Sequence, residues 1–117
     1  MAQDNDLIER TFRFAQRVRW FVNALRRTVS IIEDAKQLVR ASGSVAANYL
    51  EAQEALSRKD FFYRIRICRK EARESNLWLR LLHIGSALEA ERELLIREAD
   101  ELKRIFSTIA AKDDATE

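Results

Sequence analysis

The sequence predicts an all-α fold, an antiparallel up-down-up-down four-helix bundle, and three observations carry that prediction. The 117 residues include no proline and only two glycines, which leaves no punctuation for hairpins or sandwiches. Three capping signatures divide the chain into four stretches of similar length. Each stretch repeats apolar residues at alternating steps of three and four, the seam of a left-handed bundle helix. A single domain over residues 1–117 follows, since 47% hydrophobic and 34% charged residues is the balance of a packed, soluble chain of this length.

The first helix is expected over about residues 5–28, where Leu7, Thr11, Phe14, Val18, Phe21 and Leu25 keep the step. Ser30, with Glu33 three residues on, starts the second at about 31–55, and its seam is Ile31, Ala35, Leu38, Ser42, Val45, Tyr49, Ala52 and Leu56. Ser57 with Asp60 starts the third at about 58–84, along Phe61, Ile65, Cys68, Ala72, Ser75, Leu79 and Leu82. Gly85 is suited to closing that helix in a left-handed conformation. Directly after it, Ser86 with Glu89 starts the fourth at about 87–111, with Leu88, Leu95, Ala99, Leu102, Phe106 and Ile109 as its stripe. Residues 112–117 remain as a flexible tail. At 1.5 Å per residue each helix is about 35–40 Å long, and connections this short permit only antiparallel neighbours.

Small side chains, Ser42, Val45, Ala72 and Ser75, hold the centre of the middle seam, so the second and third helices can approach closely, with Gly43 as a contact residue. A polar pair, Asn48 and Glu51, sits one turn apart in the same stretch. Across the hairpin, Arg64 or Arg66 can meet the carboxylate, and a structural network of Asn48, Glu51 and Arg64 that fixes register is expected. The other reading of the pair is a ligand-facing one. Phe12, Trp20, Val22, Phe62, Leu77, Trp78, Leu81, Ile84, Leu94 and Ile105 lie off the four stripes. A wide apolar face accounts for part of this surplus; an oligomer interface using Trp20, Leu77, Trp78 and Leu81 accounts for the rest.

Charge is uneven along the chain. Residues 1–86 hold sixteen Lys and Arg against ten acids, a net +6, whereas residues 87–117 hold five against nine, a net −4. Arg10, Arg13 and Arg17 follow helical spacing on the first helix; Arg66, Lys70 and Arg73 do so on the third, with Arg58 and Lys59 at its start. Such stripes can follow a phosphate backbone, and these eight residues are candidate nucleic-acid contacts. Glu71 and Glu74 interleave with the third-helix stripe, so a merely solvated mixed face is the competing reading.

Residues for catalysis are sparse. His83 is the only histidine and no glutamate stands three residues before it, so Glu-x-x-His metal pairs cannot be built. The single cysteine, Cys68, falls on the core seam, where a thiol is a small hydrophobe, and nothing requires an oxidising compartment. Neither a phosphate-binding glycine loop nor a Ser-His-Asp set is present. The expectation is a protein that is not an enzyme and uses no metal or cofactor. No apolar run approaches the roughly 20 residues of a membrane span, and the polar start is unlike a signal peptide, so a cytoplasmic, unprocessed chain is expected.

Residues 37–82 resemble the four-helix bundle proteins encoded by intervening sequences in bacterial 23S ribosomal RNA genes. The resemblance rests on Gln37 and Leu38; on Ser44, Asn48, Glu51 and Ala52; on Ser57, Asp60 and Phe61; on Lys70, Glu71, Ala72 and Glu74; and on Trp78 and Leu79. The chain is also similar to the accessory variability proteins of diversity-generating retroelements, which are basic homopentamers acting with a reverse transcriptase and nucleic acid. The resemblance implies the bundle fold and a homo-oligomer, with five subunits favoured, and nucleic acid, a reverse transcriptase or another protein as partner. One departure is the acidic fourth helix and a net charge of only +2. Two function classes remain open: a nucleic-acid-associated accessory protein, and an oligomeric helical scaffold for a protein partner.

Overall fold

The structure, a computed structural model, describes residues 2–115, with side chains for residues 6–114. Its described residues form α1 (Ala2–Asn23), α2 (Val29–Gln53), α3 (Arg58–Leu81) and α4 (Glu89–Ala115), with a 3₁₀ turn at Ser86–Leu88 leading into α4 and no strand. The particle measures 48 × 25 × 21 Å. Polar contacts give the direction of each helix. Asn48 and Arg40 on α2 meet Arg64 and Glu71 on α3, and Arg10 and Arg17 on α1 meet Glu98 and Glu91 on α4, so in each pair one number rises as the other falls. The helices run antiparallel around a ring, with α2 on α3 and α3 on α4 as the broad contacts and α1 on α4 as the narrow one.

The seams form the core as the periodicity requires. Leu38, Val45, Ile65, Cys68, Ala72, Leu79, Leu95, Ala99, Leu102 and Phe106 are fully enclosed, and Phe14, Val18 and Phe21 bring α1 onto them. Polar seam residues satisfy themselves within their own helices. Thr11 Oγ1 donates to the Leu7 carbonyl at 2.8 Å, Ser42 Oγ to Val39 at 3.2 Å and Ser75 Oγ to Glu71 at 2.9 Å. Each hydroxyl is buried at the size of a small side chain without leaving an orphan donor.

Helix ends differ from the sequence expectation at five places. Asn23 ends α1 short of residue 28, because Ala24 and Leu25 N–H groups turn back onto Phe21 and Val22 carbonyls at 3.1 and 3.2 Å. Thr28, not Ser30, caps α2: it is extended at φ −116° and its hydroxyl accepts from the Ile31 N–H at 3.3 Å. Ser57 caps α3 as expected, accepting from the Asp60 N–H at 3.0 Å, but α3 stops at Leu81 and Gly85 is not left-handed, with φ −78°. Arg92 explains why no glycine closure is needed. Its guanidinium reaches back from α4 to the Leu79 and Leu82 carbonyls while Glu89 holds it at 2.8 Å, so it supplies the donors that a left-handed residue would have supplied. Residues 112–115, expected as flexible tail, continue α4; residues 116 and 117 lie outside the described residues. Leu56, expected to end the α2 seam, stands in the turn and is 99% exposed; the seam ends at Ala52.

Candidate nucleic-acid interface

The expected basic stripes separate into two kinds. On α1, Arg10 is bidentate to Glu98 at 2.7 and 3.0 Å, and Arg17 lies 3.5 Å from Glu91. The hydrogen bond to Glu98 raises the Arg10 pKa above its ordinary value, against the opposing effect of burial. Arg13 pairs with Glu9 at 3.9 Å on the exposed side. These contacts place Arg10 and Arg17 between α1 and α4, where they meet part of the negative charge of that helix.

On α3 the opposite holds. Residues 66, 69, 70, 73 and 80 recur at helical steps, and their side chains line one wall of a groove of about 910 Å³ whose other wall is Ala99, Asp100, Lys103 and Ser107 of α4. Six cations, Arg66, Arg69, Lys70, Arg73, Arg80 and Lys103, face two acids, Glu74 and Asp100. Both acids are drawn outward, Glu74 to Arg40 at 3.0 Å and Asp100 to Arg104 at 2.9 Å. Arg66 is held by Asp113 at 2.9 Å; the other five cations have no hydrogen-bond or ion-pair partner among the described residues. The interleaved Glu71 does not neutralise the stripe either. It is buried and accepts two long bonds from Arg40, at 3.4 and 3.5 Å, so its charge is directed toward α2.

Of the eight candidate contacts, the groove thus gathers Arg66, Lys70 and Arg73. Arg58 sits beyond its end, 4.8 Å over the Phe62 ring and 3.4 Å from Asp113, while Lys59 is exposed beside it. Sequence reasoning missed Arg69, Arg80 and Lys103. The first two share the helical face of Arg66 and Arg73 and were legible from spacing; Lys103 was hidden by the acidic balance of its helix.

The polar network between α2 and α3 is present with one member changed. Asn48 Nδ2 donates to the Ser44 carbonyl and hydroxyl, both at 2.9 Å, and its Oδ1 accepts from Arg64 at 3.0 Å. Glu51, placed in the network by sequence, is exposed and meets neither Arg64 nor Arg66; Arg64 approaches Asp60 instead, at 4.0 Å. Ser44, one turn before Asn48, is the member that was not foreseen. Among the four apolar interface candidates, Trp20 is 63% exposed, Leu81 53% and Leu77 45%. Trp78 differs from these three, for it is half-buried against the core cluster, and its indole N–H is buried without a partner among the described residues. Trp20 on α1 and the leucines on α3 stand at diagonal corners of the ring, so they form two patches.

With this geometry in place, comparison with known proteins gives a consistent placement. A family model described as 23S rRNA-intervening sequence protein matches residues 3–108. A crystal structure of a protein with unknown function from the S23 ribosomal protein family of Bacteroides thetaiotaomicron VPI-5482 superposes with a TM-score of 0.76 at 29% identity, covering 92% of this chain and 97% of that one. No curated protein matches.

Proposed function

We propose that this chain, which belongs to the 23S rRNA-intervening sequence protein family, is a non-enzymatic accessory protein that holds a nucleic-acid backbone in the groove between α3 and α4. The observation that carries the reading is the set Arg69, Lys70, Arg73, Arg80 and Lys103, convergent on one groove and without acid partners among the described residues. Like charges held together on a fold repel one another, and a polyanion relieves that repulsion while releasing its own counterions. No aromatic residue lines the groove, so it offers no platform on which bases can stack. Contacts of this kind fix position without reading sequence.

A second reading is favoured by the exposed Trp20, Leu77 and Leu81: self-association, with the five subunits that the family resemblance implies, or capture of a protein such as a reverse transcriptase. Leu77 also lines the groove, so the two are compatible where the interface is built on Trp20 and leaves the groove open; such an oligomer repeats the groove and raises avidity. Fluorescence anisotropy of labelled mixed-sequence RNA and DNA across a salt series tests the first reading. Five phosphate contacts predict a fall of log affinity with log salt of slope about −4, with little dependence on sequence. The double substitution of Lys70→Glu and Arg73→Glu removes binding while light scattering shows unchanged mass. Absence of binding at low salt leaves the protein scaffold as the function.

A further inference from the structure

One end of the groove is occupied by the protein's own carboxylate, and we propose that Arg58 and Arg66 form a terminal phosphate subsite that Asp113 fills until nucleic acid displaces it; this rests on the groove reading above. Asp113 Oδ2 accepts from Arg66 Nη2 at 2.9 Å, and its other oxygen stands 3.4 Å from Arg58 Nε. Two arginines eight positions apart on α3, at the end of the cationic stripe, therefore converge on a single carboxylate. That arrangement is also the one that suits a phosphate, whose oxygens accept from two guanidinium forks at once.

The carboxylate arrives on the last described turn of α4, at the edge of the core. Among the described residues Ala110 is the last of α4 buried in the core, and Ala111, Lys112 and Asp114 are exposed. The contacts that fasten this turn include the Asp113 pairs, a 3.3 Å bond from Arg58 to the Lys112 carbonyl and the 3.9 Å approach of Asp114 to Arg66, all at the surface. Ion pairs this exposed contribute little, so a phosphate can exchange for Asp113 without disturbing the core. With the exchange the cationic track lengthens from Arg69 to Arg58, and the acidic last turn acts as a built-in competitor.

The test compares the whole chain with Asp113→Asn, Asp113→Glu and Glu33→Gln, using the same labelled mixed-sequence RNA across salt. Glu33 is an exposed acid on α2, 3.6 Å from Lys36, and its substitution changes net charge equally without touching the subsite. Asp113→Asn is expected to bind about fivefold more tightly than the parent, with a salt slope steeper by about 1 to 2, since up to two further cations become available. Asp113→Glu keeps the competitor and stays near the parent. The gain of Asp113→Asn disappears when Arg66→Gln is added. If the parent binds but Asp113→Asn gains no more than Glu33→Gln, the subsite is overturned and the groove stands. Failure of both parent and Asp113→Asn to bind at low salt overturns the groove and the subsite together.

Discussion

Gly43 lies in the middle of α2, and the nearest atom that a Cβ there would meet is Nη2 of Arg19, at 3.0 Å. That atom is the far end of a long side chain: Nη1 of the same guanidinium donates to the Ala15 carbonyl of its own helix at 3.0 Å, and Nη2 itself donates only loosely, at 3.4 Å, to the Val39 carbonyl. No helix backbone presses on the glycine, in contrast to the close approach expected from the small seam. Gly43→Ala is therefore predicted to stabilise the protein, by somewhat less than the roughly 1 kcal/mol difference in helix propensity, because Arg19 shifts aside. Urea unfolding of the variant alone and with Arg19→Ala checks this; a loss of stability cured by the second substitution would mean the guanidinium cannot move. Cys68 gives a second prediction. Desolvation pushes its thiol from 9.0 up to about 12, so it should resist thiol reagents in the folded chain and react on unfolding. Below pH 9.0 both states keep the proton; between that value and about 12 only the unfolded chain loses it, so this contribution to stability falls as pH rises through the window. Cys68→Ala should lessen the decline by roughly 1 kcal/mol per pH unit there. Cys68 was legible as interior from a period of three and four, whereas Gly43 stands one position off the α2 stripe and is half-buried. Arg64 was legible as a partner of Asn48, but Ser44 was not: spacing puts Glu51 and Ser44 on the helix face of Asn48 with equal ease, and only the side-chain rotamers decide that Ser44 takes the bond.

Helix lengths and order were readable because capping and periodicity reinforce each other, and Ser57 is the clearest case. The turns were less so, since each depends on a contact with a distant residue. Thr28 and Ser30 are both cap-forming types, and the choice of Thr28 leaves Val29 84% exposed, which local preference alone would not select. At the α3–α4 turn, Gly85 invited a left-handed closure, but Arg92, ten residues after Leu82, takes over the carbonyls from the far side of the loop. Such a role has no signature in a linear pattern. Arg92→Ala should lower stability by about 1–3 kcal/mol, since it strands two carbonyls at the end of α3 and releases Glu89. Arg92→Lys is expected to recover only part of that loss, because an ammonium cannot span Glu89 and two carbonyls with a planar fork. Thermal melts of the three proteins decide it. An unchanged melting temperature for Arg92→Ala would show that water serves the carbonyls equally well.

At the scale of the whole molecule, a net charge of +2 conceals a division of labour among the arginines. The acids of α4 that face α1 are matched by Arg10 and Arg17, whereas the α4 wall that faces α3 contributes Lys103 and an Asp100 already committed to Arg104. Pairing on one side is what leaves the other side uncompensated. Net charge and stripe counting could not separate these, since Arg10 and Arg73 look alike in sequence and differ only in what the fold sets opposite them. The separation predicts a double dissociation. Arg10→Gln with Arg17→Gln should destabilise the fold by about 1–2 kcal/mol, through loss of a bidentate, part-buried bond and the narrow α1–α4 contact, while nucleic-acid affinity and its salt slope stay near the parent values. Lys70→Gln with Arg73→Gln should do the reverse. Removing like charges from a crowded groove leaves stability unchanged or slightly higher, and two lost phosphate contacts make the slope shallower by about 2 and weaken binding most at low salt. Urea unfolding and anisotropy on the same three samples, the parent and the two double variants, measure both axes. Equal loss of affinity in the two double variants would mean that the whole basic surface attracts nucleic acid diffusely and that the groove has no privileged part in it.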